Sequence, residues 1–173
     1  MRSIYLIGFM GTGKSTTASA LSARTGMPVI EMDEEIVRRK GMPITEIFAS
    51  EGEASFRQTE TALLREIAEG APAIVSCGGG AVTVPENVRL MKESGTVVLL
   101  TASPEEILAR VRGSDERPLL NGHMDADYIR GMLQKRERFY LEAADMTVST
   151  DGKETGRIVP EILRQLEQTT TGN

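Results

Sequence analysis

Eight consecutive residues near the amino terminus, Gly8-Phe9-Met10-Gly11-Thr12-Gly13-Lys14-Ser15, have the spacing G-x-x-x-x-G-K-[ST]. Glycines in such a run let main-chain N–H groups turn inward around phosphate oxygens, where side chains would obstruct. A helix opening directly behind the run adds its unpaired N–H groups and the positive end of its dipole. Lys14 can then reach β- and γ-phosphates, and the Ser15 hydroxyl can bind Mg²⁺. The segment follows an apolar, strand-like run and precedes a helical pattern, which is the context this chemistry requires. It therefore reads as a nucleoside-triphosphate site, with Gly11, Thr12, Gly13, Lys14, Ser15 and Thr16 holding the nucleotide. A plain glycine turn beside a surface lysine would not need every one of these positions.

Three further clusters bear on what receives the phosphate. Ser76-Cys77-Gly78-Gly79-Gly80 follows the third apolar run of the chain. Three glycines there can present backbone N–H groups to an oxyanion or hydroxyl, and a simple turn needs fewer. Glu31-Met32-Asp33 is read as the end of another strand, whose period of two puts both acids on one side. Two acids near a triphosphate can serve as a metal partner and as a base for an acceptor hydroxyl. An acidic first turn of the next helix is the competing reading. Arg57, Arg117 and Arg136 stand in apolar or loop settings, and guanidinium forks suit carboxylate or phosphate. Each alone reads as a surface charge; together they call for an anionic acceptor.

The elements that must position these groups alternate. Short apolar runs at Ile4–Ile7, Pro28–Ile30, Ala73–Ser76, Thr96–Leu100 and Met146–Val148 are each followed by a longer helical stretch. Ser103 before Pro104-Glu105-Glu106 has the form of a helix start, and Pro85-Glu86 after Val84 repeats it. Short unalternating strands separated by helices imply a parallel sheet covered on both faces, an α/β three-layer fold. Residues 33 to about 70 hold too much helix for one crossover, with a break at Gly41-Met42-Pro43, and read as a helical insertion. Residues 113–125 lack periodicity and have the length of a functional loop such as a lid. Thr169 to Asn173 reads as a disordered polar tail, leaving one domain over residues 1–168.

Composition narrows the function further. The 173 residues, 40% hydrophobic and 26% charged, suit one soluble globular domain and exclude disorder as the main state. One cysteine and one histidine cannot supply an internal disulfide or a structural zinc site. A net charge of −5 argues against general nucleic-acid binding. The apolar runs are too short to span a bilayer, and the glycine run begins too early for a signal peptide, so a cytoplasmic location is expected. No long apolar seam suggests an obligate partner, and a monomer is expected. The chain has no N-K-x-D guanine-reading motif and is short for a motor. A kinase acting on a metabolite fits best, with the acceptor open on these grounds alone.

Taken with Ile47-Phe-Ala-Ser-Glu-Gly-Glu-Ala-Ser-Phe-Arg57, Arg117-Pro-Leu-Leu120 and Arg136 followed by Tyr140, these motifs resemble the shikimate kinase family of the bacterial monofunctional type, over nearly the whole chain. The resemblance implies a P-loop NTPase fold with a five-stranded parallel sheet in the order 2-3-1-4-5, an acceptor-binding insertion and a lid. It implies transfer of the γ-phosphate of ATP, with Mg²⁺, to the 3-hydroxyl of shikimate, a step toward aromatic amino acids. It implies that Asp33 holds ring hydroxyls and acts as base, and that Arg57 and Arg136 grip the carboxylate. Gly78, Gly79 and Gly80 would line the acceptor pocket, Arg117 would reach the transferring phosphate from the lid, and Arg110 would stack on adenine. Lys14, Asp33 and Arg117 would form the catalytic set. The family usually has Asp-x-Asp where this chain has Glu31-x-Asp33, so Glu31 is expected near the metal, through water. A gluconate kinase, or a nucleotide-binding module without catalysis, is the competing function. His123 reads as a solvated loop residue, Cys77 as a small buried side chain, and Arg38-Arg39-Lys40 as an exposed helix end.

Overall fold

Tyr5 and Ile7 point to one face of a strand while Ile4 and Leu6 point to the other, and all four are buried. That pattern is what a strand covered on both sides requires. The computed structural model describes residues 1–112 and 125–172. The expected lid, with Arg117 and His123, falls outside the described residues except for Asp125, and so does Asn173. The order of elements is β1 (Ser3–Ile7), α1 (Lys14–Thr25), β2 (Val29–Glu31), α2 (Met32–Lys40), α3 (Ile44–Glu69), β3 (Ile74–Ser76), a 3₁₀ turn (Ala81–Thr83), α4 (Pro85–Ser94), β4 (Gly95–Thr101), α5 (Pro104–Val111), α6 (Ala126–Ala143), β5 (Met146–Ser149) and α7 (Thr155–Thr171).

The strands form one parallel five-stranded sheet in the order β2-β3-β1-β4-β5. The pleat divides the core in two. Ile4, Leu6, Val98, Leu100 and Val148 pack with Leu21 of α1 and Ile158 and Ile162 of α7. Tyr5, Ile7, Val97 and Leu99 pack against the opposite layer, which includes Ile36, Leu64, Met91, Ile107 and Ile129 from α2 to α6. Helix boundaries follow local chemistry. Ser103 Oγ accepts from the Glu106 N–H at 3.2 Å, and Asp125 Oδ1 accepts from the Tyr128 N–H at 2.7 Å. Arg38, Arg39 and Lys40 close α2, where cations favour the dipole, and pair with Glu35, Glu66 and Glu51.

Two expectations are corrected. The strand expected to carry both Glu31 and Asp33 stops at Glu31, and Asp33 lies in the first turn of α2. Met32, fully buried, turns into the core and starts the helix, so strand alternation does not relate the two acids. The disordered tail expected from Thr169 is helical through Thr171, and the hydroxyls of Thr169, Thr170 and Thr171 bond back to the carbonyls of Gln165, Leu166 and Glu167. The long helix α3 also carries a break the sequence reading did not address, at Gly52, whose φ of 83° and ψ of 165° separate residues 44–51 from 53–69.

Candidate active site

Parallel strands bring their carboxyl ends to one edge of the sheet, and the connections leaving those ends surround the crevice beside β1. The glycine run after β1, Glu31 at the end of β2 and the glycines after β3 therefore meet. They line one cleft of about 920 Å³, together with Asp33, Arg57, Arg110 and Arg136.

At the phosphate end, Gly13 caps α1 with a φ of 93°, a conformation that suits glycine and turns the chain into the helix. The first turn of α1 carries no acid, in contrast to α2, whose first turn holds Asp33, Glu34 and Glu35. Its N-terminus thus keeps its favourable field for an anion. Lys14 Nζ donates to the carbonyls of Gly8 at 2.8 Å and Phe9 at 3.0 Å, poised over the loop. Ser15 Oγ donates to Glu31 Oε2 at 3.1 Å. This hydroxyl–carboxylate pair is an oxygen donor set suited to Mg²⁺, which keeps water and substrate phosphates among its ligands. Gly11, Gly13, Lys14, Ser15 and Thr16 line the cleft. Thr12 does not: its side chain is buried beneath the loop and its Oγ1 donates to Phe9 O at 2.8 Å.

At the other end, Arg57 of α3 lies with its guanidinium carbon 5.3 Å from the Phe56 ring centroid. Its Nη1 donates to Glu60 Oε1 at 3.0 Å, and its Nη2 reaches Glu53 Oε1 at 3.4 Å. Glu60 is fully buried and was not singled out in the sequence. Its signal was there: Phe56, Glu60, Leu63 and Ile67 share one helical face, so an acid stands in an apolar stripe. Burial pushes the Glu60 carboxyl above its ordinary value, with Arg57 opposing the shift and Asp33 adding to it. Its Oε2 has no hydrogen-bond partner among the described residues.

The glycine run is explained by space rather than by unusual φ. A Cβ at Gly78 would come within 2.9 Å of both Asp33 Oδ1 and Glu60 Oε2, so two carboxylates from different helices converge on this one main-chain position. Gly79 faces Arg136, whose Nη1 would lie 3.4 Å from a Cβ, and Gly80 lies under the Arg57 guanidinium. The Arg136 guanidinium carbon sits 5.9 Å from the Phe9 ring centroid. Tyr140, one turn further along α6, donates its hydroxyl to Gly79 O at 2.6 Å, and burial raises that hydroxyl's pKa. Cys77 is buried beneath the run, and desolvation pushes its thiol well above the usual range, so it has the character of a packed, unreactive group. Arg110 borders the phosphate loop from α5, donating to Gly11 O at 3.1 Å.

The shikimate kinase family model matches residues 10–167. The chain belongs to the shikimate kinase family. A shikimate kinase of Geobacter metallireducens is 41% identical over 96% of this chain and 93% of its own length, and that of Enterococcus faecalis is 39% identical over 97% and 100%. Among solved structures, the Acinetobacter baumannii shikimate kinase in complex with shikimate has a TM-score of 0.93 at 33% identity, covering 98% of this chain and 94% of that one. A gluconokinase from Sinorhizobium meliloti, at 20% identity and a TM-score of 0.60, covering 97% of this chain and 93% of its own, shares the fold.

Proposed function

We propose that the protein transfers the γ-phosphoryl group of ATP to the 3-hydroxyl of shikimate, releasing ADP and shikimate 3-phosphate. The observation that carries this reading is the meeting, in one cleft, of the Lys14–Ser15 phosphate loop with Asp33, Arg57, Arg136 and the Gly78–Gly80 main chain. Shikimate offers a planar carboxylate on a ring bearing hydroxyls. Arg57 and Arg136 suit the carboxylate, and the glycine backbone admits the ring where side chains would exclude it. The liganded Acinetobacter relative supports shikimate as the acceptor.

Asp33 accepts a hydrogen bond from the 3-hydroxyl and takes its proton as the new O–P bond forms and the bond from the γ-phosphorus to the β-phosphate oxygen breaks. Lys14 leaves the carbonyls of Gly8 and Phe9 for the β- and γ-phosphate oxygens, where it offsets the charge gathering in the transition state. Magnesium, when bound, supplies charge neutralisation of the phosphates; Ser15 and Glu31 would hold it, directly or through water. Arg117, outside the described residues, is assigned to the transferring phosphate on its sequence position, and Arg110 to the nucleotide base. Among the described residues no helix is long and apolar enough to cross a membrane, and the same reading has the enzyme working in the cytoplasm as a monomer. A coupled ADP-release assay with ATP and Mg²⁺ tests it: turnover is expected with shikimate and not with gluconate or AMP, and the reverse preference would overturn it.

A further inference from the structure

Thr150 immediately follows β5, is 1% exposed, and joins groups that the cleft alone does not connect. Its Oγ1 lies 3.0 Å from Arg110 Nη1, 3.0 Å from Thr12 O and 3.1 Å from Thr101 O. A hydroxyl has one proton to give and two lone pairs to receive. Arg110 can only donate, so it occupies a lone pair, and the two carbonyls compete for the single proton. Thr101 O already accepts from the Thr150 main-chain N–H at 2.8 Å. Thr12 O, in the middle of the phosphate loop, has no such main-chain bond from Thr150 and is tied to it through the hydroxyl proton alone.

That bond has a geometric consequence. In a planar trans peptide the N–H points opposite to the carbonyl before it. Holding the Thr12 carbonyl against Thr150 turns the Gly13 N–H away from Thr150, and Gly13 is one of the residues that line the cleft. The same hydroxyl fixes Arg110, whose Nη1 also donates to Gly11 O at 3.1 Å and whose Nη2 donates to Thr150 O at 3.1 Å. The guanidinium is thus held by two segments far apart in sequence, the phosphate loop and the β5–α7 connection.

We infer that Thr150 is a positioning residue for nucleotide binding: its hydroxyl sets the Gly13 peptide and the Arg110 plane together, although it does not line the cleft itself. This deepens, and rests on, the reading of Gly11–Thr16 as the nucleotide site. Valine at this position preserves shape but leaves Thr12 O and Arg110 Nη1 each short of one partner, whereas serine keeps the hydroxyl.

The test compares Thr150→Val, Thr150→Ala and Thr150→Ser with wild type, reading KM for ATP and for shikimate, calorimetric binding of ADP, and the melting temperature without ligand. Thr150→Val and Thr150→Ala are expected to weaken ATP and ADP about tenfold, the scale of leaving buried polar groups under-bonded. KM for shikimate should stay within about twofold, and Thr150→Ser should recover most of the loss. Combined with Arg110→Ala, the loss should be smaller than the product of the single losses, because both changes undo one network. A lowered melting temperature with nucleotide affinity unmoved, equal weakening toward both substrates, or strictly multiplicative losses would overturn the inference. Failure of the underlying nucleotide reading looks different: wild-type protein would then not bind ADP at all.

Discussion

The Arg57 guanidinium lies so close over Gly80 that a methyl group on Gly80 would overlap Arg57 Nη2. The obstructed atom is the tip of a flexible side chain, so the side chain would move and the backbone would not. Gly80→Ala is therefore expected to leave melting temperature nearly unchanged while raising KM for shikimate about tenfold or more, with KM for ATP little affected. Steady-state kinetics with each substrate varied separately check this. An unchanged shikimate KM would mean that Arg57 does not hold the acceptor.

Convergence of Arg57 and Arg136 on one carboxylate predicts non-additivity. Replacing either by Ala should cost about 2–5 kcal/mol of shikimate binding, as expected for a charge left under-paired in a partly dry site. Lysine should rescue only in part, since a point charge cannot reproduce a planar fork. An acceptor carrying a carboxamide should bind wild type poorly and lose little more in the Ala variants. Independent, additive losses would place the carboxylate elsewhere.

Glu60 gives the pH dependence a sign. Its carboxyl in the fold holds a proton above the ordinary value of 4.5. Its contribution to stability is complete below that value and is lost as pH rises through the raised one, where ionisation in a buried site opposes folding. Glu60→Gln does not titrate. The melting temperature of wild type minus that of the variant should be largest in acid and shrink as pH rises; parallel curves in thermal melts would contradict the assignment.

Lys14 Nζ donates to two carbonyls of its own loop, those of Gly8 and Phe9, and its side chain lies outside the buried core. Lys14→Ala should fold normally and lose at least about a thousandfold in kcat, since its charge acts on the developing transition state. Near-wild-type kcat in a variant with an unaltered melt would remove the phosphate-loop mechanism.

The strands and the phosphate loop were legible because their signals are local. Ile4–Ile7 is an apolar run of strand length, and Gly8–Ser15 states its own geometry. Gly78–Gly80 was legible as a run, but its reason was not. What demands glycine there is the approach of Asp33, Glu60, Arg136 and Arg57 from α2, α3 and α6, contacts between residues distant in sequence. Glu60 went unnoticed for the same reason, since a lone acid in an apolar stripe acquires meaning only when Arg57 and Gly78 are seen beside it. Asp33 was placed on the correct edge by the wrong element: the strand stops at Glu31, two residues earlier than alternation assumed, because the buried Met32 opens the helix. Threonine-rich polarity at 169–171 suggested disorder, but threonine hydroxyls can bond to carbonyls one turn back and remain helical.

The central claim is that this cleft places a γ-phosphoryl group on the 3-hydroxyl of shikimate. Purified protein incubated with ATP, Mg²⁺ and shikimate, followed by phosphorus and proton NMR of the products, reads this directly. The account predicts one equivalent of ADP per phosphomonoester formed, with the phosphorus coupled to the ring proton at carbon 3. Phosphate at another ring position, ADP released without a phosphorylated acceptor, or no reaction in folded protein would contradict it.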